Sequence, residues 1–361
     1  MTTDQTTRPA RPSVQAILVR ALISLALLAV SALAFRFTLL PVPEGAASRG
    51  LVQREAVAGA TRADISLDGG WADLNLKTTA QTAWALNGQL RVPPSATVQH
   101  QTTRQDAVLR TRYQVRGKDG LMPLRFQLGA GGLNVTHGEH PLGVWMLTVS
   151  QHLPTALHLS TTSGDQQLYL GSVRLSDLRV SSTSGEISAT IPNGFTGRAH
   201  FETSSGDLTV ASEGSQAATA DSAFTSQSTS GEQTLNLEDS AFRSVQARST
   251  LGDLTVRLPA RLGLSAALTT DTGEQYVTVP VGLNSGTLNL HSRIGDMTLL
   301  VPSGAAVRIL VSTRVGETEM PPGYLRQGDT YSSPAARTAP AALKITVSSF
   351  SGILTVREAA R

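Results

Sequence analysis

Leu178-Arg179-Val180-Ser181-Ser182-Thr183-Ser184-Gly185-Glu186-Ile187-Ser188-Ala189-Thr190-Ile191 is the stretch that decides the fold. Apolar side chains stand two apart before the glycine, at Leu178 and Val180, and two apart after it, at Ala189 and Ile191. Offsets of two place side chains on one face of a strand, so the unit is strand, glycine bend, strand. It recurs about every 21 residues, with bends at Gly164, Gly185, Gly206, Gly231, Gly252, Gly273, Gly295, Gly316 and Gly352. A fixed period of this size marks an array of stacked units, each too small to fold alone.

Two further positions recur. Three residues before each glycine is a hydroxyl: Thr161, Ser182, Thr203, Ser228, Ser249, Thr270, Ser292, Thr313 and Ser349. It continues the inward alternation and predicts a buried Ser/Thr ladder. Directly after the first eight glycines is an acid: Asp165, Glu186, Asp207, Glu232, Asp253, Glu274, Asp296 and Glu317. In-register stacking would bring these carboxylates about 5 Å apart. Such a row has oxygen ligands for Ca²⁺, and it also suits plain solvated turn chemistry. The spacing lacks the nonapeptide pattern of calcium β-rolls, which favours turn chemistry. No physical account of the Asp/Glu alternation is legible in the sequence. The glycines are expected to supply positive φ.

A solenoid with parallel pairing and a meander with antiparallel pairing both fit the period. The in-register ladders favour the solenoid: an all-β, single-stranded β-helix of about 21-residue coils. The pattern extends upstream in weaker form at Gly70 (Ala63, Ile65, Leu74, Leu76) and Gly131 (Leu124, Phe126, Leu133, Val135), with Leu67 and Leu128 in the hydroxyl's place. Residues 55–150 therefore read as an atypical β module with Trp71, Trp84 and Trp145 in its core, and 151–361 as the regular array. Residues 211–227 carry an insertion, and 320–341 read as an exposed loop.

The repeat S-T-S-G-[DE], as in Ser182–Glu186, resembles the bacterial toastrack β-strand repeat family, whose members are also known as adhesins and as domains of unknown function. The stretches from Ala63 and from Val144 are similar to the N-terminal toastrack module of LiaF-related proteins. The resemblance covers about residues 55–356. It implies a β-helix held outside the membrane by a transmembrane segment, with ties to envelope-stress sensing and adhesion. It implies no catalytic residues.

Residues 21–35 are apolar and follow Arg8, Arg11 and Arg20. This predicts a cytoplasmic tail at 1–13, a single transmembrane helix within 14–40 and a linker at 41–54. The alternative is a signal peptide cut after Ala34. Either way residues 55–361 lie outside the cytoplasm, a cell-envelope protein of bacterial type. A net charge of +3 gives no case for nucleic acid. Cysteine is absent, so disulfides and thiolate sites are excluded. His137-Gly138-Glu139-His140 matches no zinc spacing and reads as a turn. No G-x-S-x-G elbow is present, and 4% aromatics cannot line a glycan-cleaving groove. The expectation is a non-enzyme without cofactors. Its partners would be the membrane, an envelope protein and a glycan. Its working parts would be the strand faces, an open edge near Val356 and the 320–341 loop.

Overall fold

The computed structural model describes residues 49–93, 96–117, 124–129, 132–137, 143–192, 194–195, 197–213, 222–313 and 316–359. The predicted tail, transmembrane segment and most of the linker lie outside the described residues, as do Gly138–His140 and residues 214–221 of the insertion. Among the described residues no helix is long and apolar enough to cross a membrane.

The chain divides into two units, residues 1–46 with 119–140, and residues 47–118 with 141–361. The described part of the first is a hairpin, Leu124–Gly129 paired antiparallel with Gly132–His137. The Gly131 pattern is therefore not a coil. Its period-two apolar residues belong to two strands that fold back on each other, an arrangement that has the same alternation as a coil.

Among the described residues the second unit carries one sheet of 14 strands and one of 13. The leading sheet collects the strands before each glycine, the trailing sheet those after it. Leu264–Thr272 pairs parallel with Phe242–Leu251 on one side and Gly286–Ile294 on the other. Gln275–Thr278 pairs parallel with Leu254–Arg257 and Met297–Pro302. Each unit is thus one coil, stacked in register on its neighbours. Inward residues from both sheets form a continuous core, including Leu178, Val180, Ala189 and Ile191. Each fully buried Leu, Val or Ile contributes about 1.5–3 kcal/mol of burial free energy. Phe195, Phe201, Phe224 and Phe242 meet across coils at centroid separations of 5.4–5.9 Å.

The first coil is set two residues later than its glycine suggests. Ile65 and Leu67 lie opposite Leu157 and Leu159, and Leu76 lies opposite Leu168. The bend position is Ala72, and Gly70 stands opposite Thr161, where later coils have a hydroxyl. A bulge that skips Gly69 takes up the slack. Of the tryptophans, Trp145 is fully buried, whereas Trp71 and Trp84 are half-buried.

Both ends of the stack are closed by a detour. At the start, Val108–Gly117 and Val144–Ser150 stack outside the first coil. Antiparallel strands then cover them, Ala96–Gln105 on one sheet and Trp84–Val92 with Arg49–Ala56 on the other. At the finish, the chain skips a place. Val307–Thr313 and Thr318–Glu319 form the outermost coil, and the last coil, Leu343–Ser351 with Leu354–Ala359, returns to fill the gap. Val356 is accordingly buried in an inner strand, not at an open edge. The 320–341 segment is more than an exposed loop. Its strand Thr330–Ser332 pairs antiparallel with Val307–Thr313, Leu325–Gln327 pairs outside that, and Ala336 is buried.

Candidate functional site

The bend is a column of backbone in close contact. A Cβ on Gly252 would penetrate the carbonyl of Gly231, and one on Gly185 the carbonyl of Gly164. Gly252 has φ +136°, but Gly164, Gly185 and Gly206 are not in the positive-φ region. The expectation of positive φ therefore holds only from Gly231 onward. What demands glycine at every bend is the approach of the next coil.

The hydroxyls three residues earlier, from Thr161 to Ser292 and at Ser349, are buried as a ladder, and several bond to their own bend. Ser249 Oγ donates to the Gly252 carbonyl at 2.9 Å, and the Gly185 N–H donates to Ser182 Oγ at 2.8 Å. Sequence reasoning missed the partners of this ladder: buried glutamines two residues after the bend. Gln275 Nε2 donates to Thr270 Oγ1 at 2.9 Å and to the His291 carbonyl at 2.5 Å. Gln166 makes the equivalent bonds, and Gln233 accepts from Ser226 Oγ at 2.7 Å. The signal was there, since Gln interrupts an otherwise apolar position (Leu74, Ile187, Leu208, Leu254, Met297).

The acid ladder has a rationale once the coils are stacked. Each aspartate carboxylate accepts the backbone N–H of the residue above it: Asp165 from Glu186, Asp207 from Glu232, Asp253 from Glu274 and Asp296 from Ile353, at 2.8–2.9 Å. At the bottom, Asp73 accepts from Asp165 at 3.1 Å. Burial raises the Asp73 carboxyl above the ordinary range; the Asp165 N–H opposes this, and the Asp165 charge adds to it. The short Asp side chain reaches the next rung's amide. The longer Glu extends to solvent. From Asp165 upward the alternation thus spaces the interlocking carboxylates two coils apart. Among the described residues no three acidic or histidine side chains gather as a metal site.

Histidines that looked scattered in the sequence are paired. Glu55, buried on the first edge strand, accepts from Tyr113 OH and from Thr102 Oγ1 (3.1 Å), and its Oε1 lies 2.7 Å from His100 Nε2. The His100 ring stacks on Tyr113 at 4.3 Å. Burial and the Glu55 carboxylate push the Tyr113 phenol well above its ordinary range. This cluster links the two sheets at the starting end.

A groove of about 630 Å³ lies on the outside of the leading sheet. It runs over six coils, from Arg62 to Arg243, and its floor is small side chains such as Ala156, Gly197 and Ala223. Two bulges shape it: the pairing skips Ser176 in one coil and Arg243 in another. Arg62 Nη2 donates to Ser176 Oγ at 3.3 Å, Arg198 Nε lies 3.9 Å from Asp177, and His158 Nε2 lies 3.7 Å from Asp64. Ser222 borders the groove with its side chain turned into the core, where its hydroxyl has no partner among the described residues. None of these residues drew notice in the sequence, because only coil stacking brings them together.

With this geometry in view, the comparison with known families is specific. Residues 146–242 match the Toastrack DUF4097 family. The resemblance read from the repeat is borne out over that segment. The toastrack segment holds most of the groove, while the glycine–acid rule continues beyond it to Glu317. Two solved structures match the chain. A provisionally named cell adhesion protein from Clostridium sporogenes shares 11% identity over 86% of this chain and 100% of its own, with TM-score 0.26. A provisionally named adhesin from Bacteroides fragilis shares 8% identity over 85% of this chain and 97% of its own, with TM-score 0.31. No curated protein matches the chain.

Proposed function

We propose that this chain is a non-enzymatic interaction module of the cell envelope, held outside the membrane by its segment 14–40 and serving as a scaffold in envelope stress. The observation that carries the reading is the groove: a recess built by two bulges into an otherwise regular sheet, lined by side chains suited to binding. His158 faces Asp64, and among the described residues no nucleophile is hydrogen-bonded to it. The apolar run 21–35 supports the tether. The groove also favours a second reading, a surface adhesin or glycan-binding protein, in which the segment is cut after Ala34.

The test is protease shaving of intact cells, followed by crosslinking and pull-down of the full-length protein from membranes. The tethered module is expected to be shaved from outside, to remain in the membrane fraction and to return a fixed set of membrane proteins. Recovery from the medium with an N-terminus at Phe35 would overturn the tether in favour of the secreted reading.

A further inference from the structure

The groove departs from the repeat in ways that the fold does not need. Coils could stack at that offset without Ser176 or Arg243 as extra residues, as the coil beginning at Leu264 does. Bulges re-aim side chains, and departures from a regular pattern concentrate where a protein binds. The side chain of Arg198 is 84% exposed and only loosely paired, so its guanidinium is available to a ligand.

Six stacked coils at about 4.8 Å per step make the groove about 24 Å long. Its arginines, Arg62, Arg198 and Arg243, lie on the first, fourth and sixth of these coils. Beside them Asp64 and Asp177 offer partners for hydroxyl groups. We infer that the groove binds an extended oligosaccharide that carries carboxylate or sulfate groups, laid along the stack. Arginine forks take the oxyanions, and the acids take the sugar hydroxyls. A sugar chain also repeats at nearly the spacing of the coils. A peptide fits less well, because the strands here are paired on both sides and offer no ladder edge to extend. A nucleic acid would bring closely spaced phosphates against Asp64 and Asp177. This inference rests on the reading of the chain as a binding module and names the ligand of that surface.

The experiment is calorimetric titration of the full-length protein in mild detergent with hexagalacturonate and a heparin-derived hexasaccharide. Cellohexaose and hexaglutamate serve as controls. At least one acidic oligosaccharide is expected to bind, weakening with salt, and at least tenfold more tightly than either control. Arg198→Gln should weaken it about tenfold, the loss of one charged hydrogen-bonded pair, with an unchanged melting temperature. Ala223→Trp, which fills the groove, should abolish it. Arg257→Gln, on the trailing sheet, should leave it unchanged. Equal binding of cellohexaose or hexaglutamate, no binding of either acidic sugar, or equal losses from Arg198→Gln and Arg257→Gln would each overturn the inference. Cell shaving is scored separately. A silent groove on a protein that is still shaved and membrane-bound would leave the tether standing.

Discussion

The middle of the array and its two ends solve opposite problems. From Thr155 to Pro302 the coils are held by recurring contacts: a glycine on a carbonyl and a buried hydroxyl in every coil, and an aspartate on the next amide in every second one. An unmodified last coil would present unpaired N–H and C=O groups to any other chain. The ends therefore abandon the repeat. Each inserts a coil out of chain order and lays antiparallel strands over it. Repetition stabilises the middle; irregularity terminates it.

The largest effect that separates the two regions is expected at the bends. Gly252→Val should cost about 3 kcal/mol or more, since the side chain meets the Gly231 carbonyl and strains a positive φ. Gly185→Ala tests the contact alone, because Gly185 is not at positive φ. It should cost well over the roughly 1 kcal/mol of Gly263→Ala, a turn glycine at φ +74° with open space around it. Urea midpoints of the three variants decide the matter. A harmless Gly185→Ala would show that the coils do not approach as closely as described.

Next comes the finishing end. Replacing residues 325–332 with a short Gly-Ser linker should leave the outer edge of Val307–Thr313 unpaired at Arg308–Leu310. The variant should associate into dimers and larger species on size-exclusion chromatography with light scattering. A monomer of unchanged stability would mean that the hairpin does not close the edge.

How much of this was legible follows the same division. In the middle, Leu178, Val180, Ser182 and Gly185 announce coil, core, ladder and bend from position alone, because every coil repeats them. At Gly70 and Gly131 the same alternation misled. Period two says only that residues share a face, and both a bulged coil and a hairpin satisfy it. The skipped place at the finish could not be read, since the order of coils in space is not their order in sequence. The groove was invisible for the same reason: Arg62 and Arg243 are 181 positions apart in the numbering, and only stacking brings them to one surface.

The ends also differ from the middle in alkali. Tyr324, near the finish, is pushed up to about 12 by burial and by the Glu358 carboxylate, and Tyr113, near the start, is raised as well. Both phenols are raised above the unfolded value near 10. The stability they contribute is therefore complete below about pH 10 and is lost as pH rises from there through 12 and beyond. Limited proteolysis across that range should cut first within 49–117 and 320–341, with the middle persisting. Tyr324→Phe should delay cutting at the finish alone. Simultaneous loss of all regions would contradict separate ends.

The smallest effect concerns the alternation of acids. Asp253→Ala removes the acceptor of the Glu274 N–H and should cost about 1 kcal/mol, comparable with loss of a capping acceptor. Asp253→Asn keeps an acceptor of the same length and should recover most of this. Glu274→Ala should be within about 0.5 kcal/mol of neutral, because its side chain is exposed and its backbone N–H does the bonding. If Glu274→Ala cost as much as Asp253→Ala, the alternation would not reflect reach to the next rung. A chain in which Asp253 and Glu274 are exchanged sharpens the point. The aspartate at 274 would meet the amide of Asp296, while the glutamate at 253 would overreach that of residue 274. The exchange keeps net charge, composition and the number of bonded amides, so it should lower the midpoint far less than Asp253→Ala does, since the amide released at 274 is balanced by the one taken up at 296.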